Sequence, residues 1–89
     1  MDLEKLAPFT EKAKSIVIGS LYEHYSGLFY KALHIARHSE TLEEMIVYQA
    51  LYGENDIWVR PLSMFLEEVL IEGKLQPRFK LIISEPPLP

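Results

Sequence analysis

The sequence predicts a mainly β fold: a small curled antiparallel sheet or an SH3-like, partly open barrel, with a one-turn helix and a short N-terminal helical extension. Short runs rich in β-branched and aromatic residues follow one another closely, and turn signals separate them. The chain of 89 residues has room for one hydrophobic core. A flatter antiparallel sheet with the N-terminal helix packed on one face is the alternative.

The start of the chain is predicted to form one or two short helical turns. Leu6 and Phe9 continue a helical spacing of apolar residues that begins at Leu3, and Pro8 interrupts it. Thr10 then precedes a second short helical pattern, where its hydroxyl can cap the free amides.

These patterns divide the chain into three parts. Residues 1–15 are the helical extension, residues 16–83 a single β-rich domain, and residues 84–89 a proline-rich tail. The tail is expected to be disordered, because proline has no N–H with which to extend a strand or helix.

Four runs are predicted to be strands of successive hairpins. Turn signals at Ser26-Gly27 and at residues 53–56 separate them. The predicted strands are residues 21–25, 28–36, 45–52 and 57–60.

A one-turn helix and a last hairpin are predicted after these strands. Pro61 suits the first helical position, and Leu62 and Phe65 share one helical face. Residues 69–71 and 79–82 are predicted to flank the turn at Gly73, with Pro77 at the start of the second strand.

Charge and composition exclude several classes of function. Nine Lys and Arg against thirteen Asp and Glu give a net charge of −4, which makes nucleic-acid binding unlikely. The apolar runs are too short to span a bilayer, and the chain starts without a secretory signal, so a cytoplasmic protein without a membrane partner is expected. The absence of Cys excludes thiol catalysis and cysteine-ligated metals, and we expect no cofactor.

Five motifs in one register resemble a known bacterial family. In order they are YxHYxG from Tyr22, ARHSETLE from Ala36, VYQALYG from Val47, WVRPLxMF from Trp58 and PRF from Pro77. They resemble the domain of unknown function 1653, over roughly residues 18–82. The resemblance implies a bacterial cytoplasmic protein with a compact β-rich domain, and it implies no activity, ligand or cofactor.

The polar stretch Arg37-His38-Ser39-Glu40-Thr41 is a candidate ligand-binding loop, because it interrupts two apolar strands. A structural interpretation has Ser39 or Thr41 capping a turn. The same residue types suit a hydrolase that uses His38 and Ser39, but neighbours in sequence rarely converge as nucleophile and base.

Two arginines lie beside aromatic residues and are further candidates for binding an anion. Arg60 follows Trp58 closely, and Arg78 precedes Phe79. A guanidinium in such a place can fork onto a carboxylate or phosphate. The alternative is internal pairing of Arg37, Arg60 or Arg78 with Glu40, Glu43, Glu44 or Glu67.

The aromatic residues of the strands are predicted to be mostly core. They are Tyr22, Tyr25, Phe29, Tyr30, Tyr48, Tyr52 and Trp58. Tyr30 and Tyr48 could instead line a groove for a peptide or a base.

The three histidines do not make a convincing metal site. On one strand, His34 and His38 would stand about 13 Å apart at roughly 3.3 Å per residue, which is too far for one ion. Either could meet His24 across a hairpin, but no carboxylate stands at a recognisable ligand spacing, and we expect no metal.

The leading hypothesis is a non-catalytic module that binds a protein, a peptide or a small polar or anionic ligand. Its site combines the loop at Arg37, His38, Ser39, Glu40 and Thr41 with Trp58, Arg60 and Arg78. The second hypothesis is a structural or self-association domain, including a homodimer, because a small sheet leaves strand edges exposed. A small hydrolase is the third, and the protein is not expected to be an enzyme.

Overall fold

The computed structural model describes residues 6–82. The elements are α1 (Glu11–Lys14), β1 (Leu21–His24), β2 (Phe29–Arg37), β3 (Glu44–Ala50), β4 (Ile57–Pro61), α2 (Leu62–Phe65), β5 (Glu68–Ile71), β6 (Lys74–Pro77) and β7 (Phe79–Ile82). The predictions for residues 1–5 and for the proline-rich tail concern residues outside the described range. No helix between residues 6 and 82 has the length and apolar character needed to cross a membrane.

Five strands form one antiparallel sheet in the order β4-β3-β2-β1-β7. The strands β5 and β6 form a separate hairpin. The predicted mainly β, antiparallel fold is therefore confirmed. Within the described residues the sheet does not close into a barrel, because β4 and β7 remain its two edges.

The prediction for the last hairpin was wrong about its second strand. The partner of β5 across the turn at Gly73 is β6, and β7 instead pairs with β1, with His24 opposite Phe79. All four residues of β6 are exposed, and its short, mixed sequence has no run of apolar residues that would predict a strand. Pro77 ends β6 rather than beginning β7, and the next residue, Arg78, donates its backbone N–H to the carbonyl of Glu67.

The predicted N-terminal helical turn and its cap are confirmed. Thr10 is extended, and its hydroxyl accepts a hydrogen bond of 3.2 Å from the N–H of Ala13. Ala13 and Ile16 are buried, so this turn contributes side chains to the core.

The core lies between one face of the sheet and the two short helices. Alternation along β3 buries Ile46, Tyr48 and Ala50. From α2, Phe65 is fully buried and stacks on Phe79 with ring centroids 4.1 Å apart.

The aromatic residues are divided between core and surface. Tyr22, Tyr30 and Tyr48 are buried as predicted. The prediction of burial was wrong for four others: Tyr25, Phe29 and Tyr52 lie at strand ends or in a turn, and Trp58 lies on the edge strand β4.

Candidate functional site

A small cavity of about 180 Å³ is lined by four aromatic side chains and one cation. We call it the tyrosine pocket. Its walls are Tyr30, Tyr48, Tyr52, Trp58 and Arg60.

Strand register explains why these residues meet. Tyr48 of β3 lies directly opposite Trp58 of β4, and Ile46 lies opposite Arg60. Residues opposite each other in an antiparallel pair share a face, and alternate residues along a strand do too. Trp58 and Arg60 therefore belong to the same face as buried Tyr48.

Each tyrosine hydroxyl of the pocket has a hydrogen-bond partner within it. The hydroxyls of Tyr30 and Tyr52 are 2.6 Å apart, and Arg60 Nε donates to the hydroxyl of Tyr48 at 3.2 Å. The ring of Tyr30 meets the rings of Tyr48 and Tyr52 edge to face. These contacts hold the polar atoms of the pocket in place before any ligand arrives.

The hydroxyl of Tyr30 stays protonated near neutral pH. Burial is the main reason its pKa is raised, and the hydrogen bond to Tyr52 adds to the effect. The positive charge of Arg60 opposes this shift without cancelling it. Tyr30 is thus a neutral hydrogen-bonding group and not a phenolate.

Arg60 brings a charge that the neighbouring side chains leave unbalanced. Among residues 6–82, no carboxylate lies within 4.0 Å of its guanidinium, and its hydrogen bond to Tyr48 uses Nε. The guanidinium lies 5.6 Å from the centroid of Phe79. Its two terminal nitrogens can therefore donate a bidentate pair of hydrogen bonds to two oxygens of a carboxylate or phosphate.

Two arginines lie close enough to His24 to affect its ionisation. The pKa of His24 is lowered, first by burial and then by the charges of Arg78 and Arg60. A neutral His24 thus adds no further charge beside the arginines.

The rim of the pocket is flat and apolar. Trp58 is 51% exposed and Tyr52 is 40% exposed. Exposed aromatic faces of this kind suit the body of a ligand whose anionic end lies on Arg60.

Arg37, a predicted site residue, binds the N-terminal segment. Its Nη2 donates to the carbonyl of Ala7 at 2.6 Å, and its guanidinium lies 4.4 Å above the ring of Phe9. The opposite residue on β3, Glu44, accepts hydrogen bonds from the backbone N–H and the hydroxyl of Thr10 at 2.8 and 2.7 Å. These contacts give Arg37 a structural role at this place.

The predicted binding loop after β2 is a self-contained turn. His38 Nδ1 accepts from the backbone N–H groups of Glu40 and Thr41 at 3.1 and 3.3 Å. The hydroxyl of Thr41 accepts from the N–H of Glu43, and Leu42 has a positive φ of 64°. The turn-capping interpretation is confirmed for Thr41, whereas Ser39 and Glu40 are exposed.

The same contacts bear on the hydrolase hypothesis. A neutral histidine that accepts at Nδ1 carries its proton on Nε2, so neither ring nitrogen of His38 has a free lone pair. In this arrangement His38 cannot take a proton from Ser39.

Arg78 is paired internally. Its Nε and Nη2 donate to Glu67 Oε1 at 2.9 and 2.6 Å. The alternative of internal pairing is confirmed for this arginine. Of the eight predicted site residues, the tyrosine pocket contains Trp58 and Arg60 and brings in neither the loop nor Arg78.

The histidines lie in separate surroundings. His24 Nδ1 accepts from the N–H of Ser26 and lies 2.8 Å from its hydroxyl, and its ring packs against Phe79. His34 is exposed on β2. No group of three His, Asp or Glu side chains in the described part of the chain is arranged to hold a metal ion.

A larger cavity of about 500 Å³ lies beside α1. Thr10, Glu44 and Leu62 are among its lining residues. Both carboxylate oxygens of Glu44 are already bonded to Thr10, and the other charged side chains of the wall, Glu11, Lys12 and Glu43, include no arginine. Local sequence patterns do not predict this cavity, because its walls come from distant parts of the chain.

Comparison with known proteins gives the family. The sequence model of a protein of unknown function (DUF1653) matches residues 20–81. The chain belongs to this family. The resemblance predicted from the five motifs is thereby confirmed.

One solved structure is similar to this DUF1653 chain along most of its length. It is the crystal structure of a DUF1653 protein from Bordetella bronchiseptica, with 33% sequence identity and a TM-score of 0.71. The match covers 85% of this chain and 99% of the other. Comparison with curated proteins gives no match.

Tyr52 is the pocket residue that sequence reasoning missed, because it was predicted to be core. The alternation of residues along β3 could have placed it in the pocket. Tyr52 shares the parity of Tyr48 and Ala50 in the sequence leading out of β3, so alternation places it near the same face just before the turn.

Proposed function

We propose that the protein is a non-catalytic binding module that holds an anionic group of a peptide, protein or small ligand in the tyrosine pocket. The observation that carries the proposal is Arg60, a guanidinium among aromatic rings without a carboxylate neighbour in residues 6–82.

A carboxylate or phosphate is the group that suits Arg60. Its two terminal nitrogens can donate to two oxygens of one anion, while Nε stays fixed on Tyr48. The rings of Trp58 and Tyr52 then offer apolar surface to whatever carries the anion. We therefore expect ligands that join an anionic group to a flat or apolar body.

The chemistry of the pocket supports binding without transformation of the ligand. Its polar groups are tyrosine hydroxyls and a guanidinium, and the raised pKa of Tyr30 keeps that hydroxyl from acting as a base near pH 7. The loop that suggested a hydrolase uses His38 to hold its own backbone.

The test is a titration with phenylacetate and phenyl phosphate, followed by NMR signals of the Trp58 indole and of backbone amides. We expect saturable shifts at Trp58 and along β4. Arg60→Gln should weaken binding at least tenfold, because a charge-assisted fork is lost. Arg60→Lys keeps the charge without the fork and should recover only part of the affinity.

Lys31→Gln is the matched control, since it removes one positive charge from an exposed site on β2 outside the pocket. It should leave the affinity unchanged. Equal binding by wild type and Arg60→Gln would contradict the proposal. So would shifts confined to the turn at residues 38–41.

A further inference from the structure

We propose that the partner of the tyrosine pocket is a second copy of this chain, added edge to edge along β4, with the partner's Asp56 on Arg60. This inference rests on the proposed function, because it names the anion that Arg60 receives.

The strand β4 is an exposed edge of the sheet. Ile57, Trp58 and Val59 are 61%, 51% and 58% exposed. Soluble proteins usually protect such an edge with lysine, proline or a bulge. The opposite edge, β7, carries Lys80 within the strand, whereas Ile57-Trp58-Val59 carries no charge.

The hydrogen bonds to β3 show which groups of β4 are free. The N–H of Ala50 donates to the carbonyl of Asp56 at 2.9 Å, so Asp56 faces β3. In an antiparallel ladder every second residue faces the same neighbour. Trp58 and Arg60 therefore also face β3, and the N–H and C=O groups of Ile57 and Val59 point outward.

Two copies of this edge are complementary in one two-fold register. When Trp58 lies opposite the partner's Trp58, Ile57 lies opposite the partner's Val59, and their outward groups exchange hydrogen bonds in both directions. The same register places Asp56 opposite the partner's Arg60. The two-fold axis repeats each contact, which is the requirement of a closed dimer.

The charged pair falls on the correct face. Trp58 and Arg60 lie on the pocket side of β4, and Asp56, one residue before the strand, continues the same alternation. Opposite residues in a pair that is not hydrogen-bonded have Cα atoms only about 4.5 Å apart. The partner's Asp56 thus supplies the carboxylate that Arg60 lacks, and the two indoles meet at the axis.

Other registers of the two β4 strands have fewer complementary contacts. A shift of two residues in one direction places Asp56 opposite the partner's Trp58, and it places Arg60 opposite the partner's Glu54, which lies in the turn outside β4. A shift in the other direction places Ile57 opposite Pro61, which has no N–H to donate. The extent of β4 and the hydrogen bonding of Ile57 and Val59 therefore favour the register centred on Trp58.

The test is sedimentation velocity of the full chain from roughly micromolar to millimolar concentration. We expect a monomer–dimer equilibrium. Asp56→Arg places like charges together twice in the dimer and should weaken association at least tenfold. The double variant Asp56→Arg, Arg60→Asp restores opposite charges and should recover most of the association.

Val59→Pro is the second variant. It removes an N–H that points away from β3, so the β3–β4 ladder is kept while the outward edge is blocked. Its melting temperature should stay near that of the wild type, and it should be monomeric. Binding of phenylacetate by this variant reports on the proposed function separately, since Arg60 and the pocket are intact.

A wild type that stays monomeric up to millimolar concentration overturns the inference, and phenylacetate binding would then leave the proposed function standing. A dimer that tolerates both Asp56→Arg and Val59→Pro also overturns it, because another surface must hold the copies together. Failure of Val59→Pro to bind phenylacetate counts against the proposed function, whereas the sedimentation results test the edge-to-edge dimer itself.

Discussion

Arg37 and Glu44 face each other across β2 and β3, and both bind the segment that leads into α1. Arg37 donates to the carbonyl of Ala7 and lies over the ring of Phe9. Glu44 accepts hydrogen bonds from the N–H and the hydroxyl of Thr10. This pair fastens the N-terminal segment to the end of the sheet.

Glu44→Gln is expected to destabilise the fold by about 1 kcal/mol, which is modest because the carboxylate is only partly shielded from solvent. For a domain this size that lowers the melting temperature by roughly 4–8 °C. Glu43→Gln, at an exposed neighbouring site, is the control and should have little effect. Urea unfolding at pH 7 measures both.

The stability that Glu44 contributes is expected to depend on pH. Hydrogen bonds from the Thr10 side chain and backbone lower the pKa of Glu44 below its ordinary 4.5, and Arg37 lowers it further. The stabilisation is therefore present above pH 4.5 and lost as pH falls through the lowered pKa. Glu44→Gln should lack this acid-dependent loss, and an unchanged acid profile would contradict the assignment.

His24 is expected to make the fold less stable as pH falls below about 6.5. Burial and the charges of Arg78 and Arg60 lower its pKa in the folded chain from 6.5, so the unfolded chain binds the proton more readily. Between the two pKa values stability rises with pH. Melting temperatures from pH 7.5 to 5 should show this slope.

His24→Gln should flatten that slope, whereas His34→Gln, which replaces an exposed histidine of β2, should keep it. A slope of equal size in wild type and His24→Gln would show that another group is responsible.

Tyr30 is expected to resist ionisation in alkaline solution. Burial and the hydrogen bond to Tyr52 raise its pKa above 10.0, so the folded state disfavours the phenolate. Its contribution to stability is complete below pH 10 and is lost as pH rises beyond it. The ultraviolet absorbance of the phenolate, recorded before alkaline unfolding, measures this directly.

Tyr30→Phe should leave that absorbance change almost unchanged, because the hydroxyl that it removes resists ionisation in the folded chain. A loss of about one tyrosine from the absorbance change of Tyr30→Phe would show that the hydroxyl of Tyr30 is not protected.

Local sequence patterns predicted most of the strands. The turn at Ser26-Gly27 and the β-branched character of residues 45–50 placed β1 to β4 within about two residues of their observed ends. Pairing of β7 with β1 could not be predicted in this way. Residues 21 and 82 are far apart in the chain, and no local signal reports which edge a final strand joins.

The candidate site was predicted in part for the same reason. Trp58 and Arg60 were identified from their chemistry, and the register with Tyr48 that assembles the pocket follows from pairing along the β3–β4 hairpin. Arg37 looked like an equivalent cation. Its contact with Ala7 spans thirty positions, so only the folded chain reveals that this arginine is already occupied.

The N-terminal segment also changes where the structural unit begins. The family match starts at residue 20, yet Ala13 and Ile16 are buried in the common core, at 3% and 6% exposure. The region that matches the family model is therefore shorter than the region that packs into the common core. An expression fragment trimmed to the family boundaries would uncover the apolar surface beneath α1, so fragments intended for experiments should keep the residues from Leu6 onward.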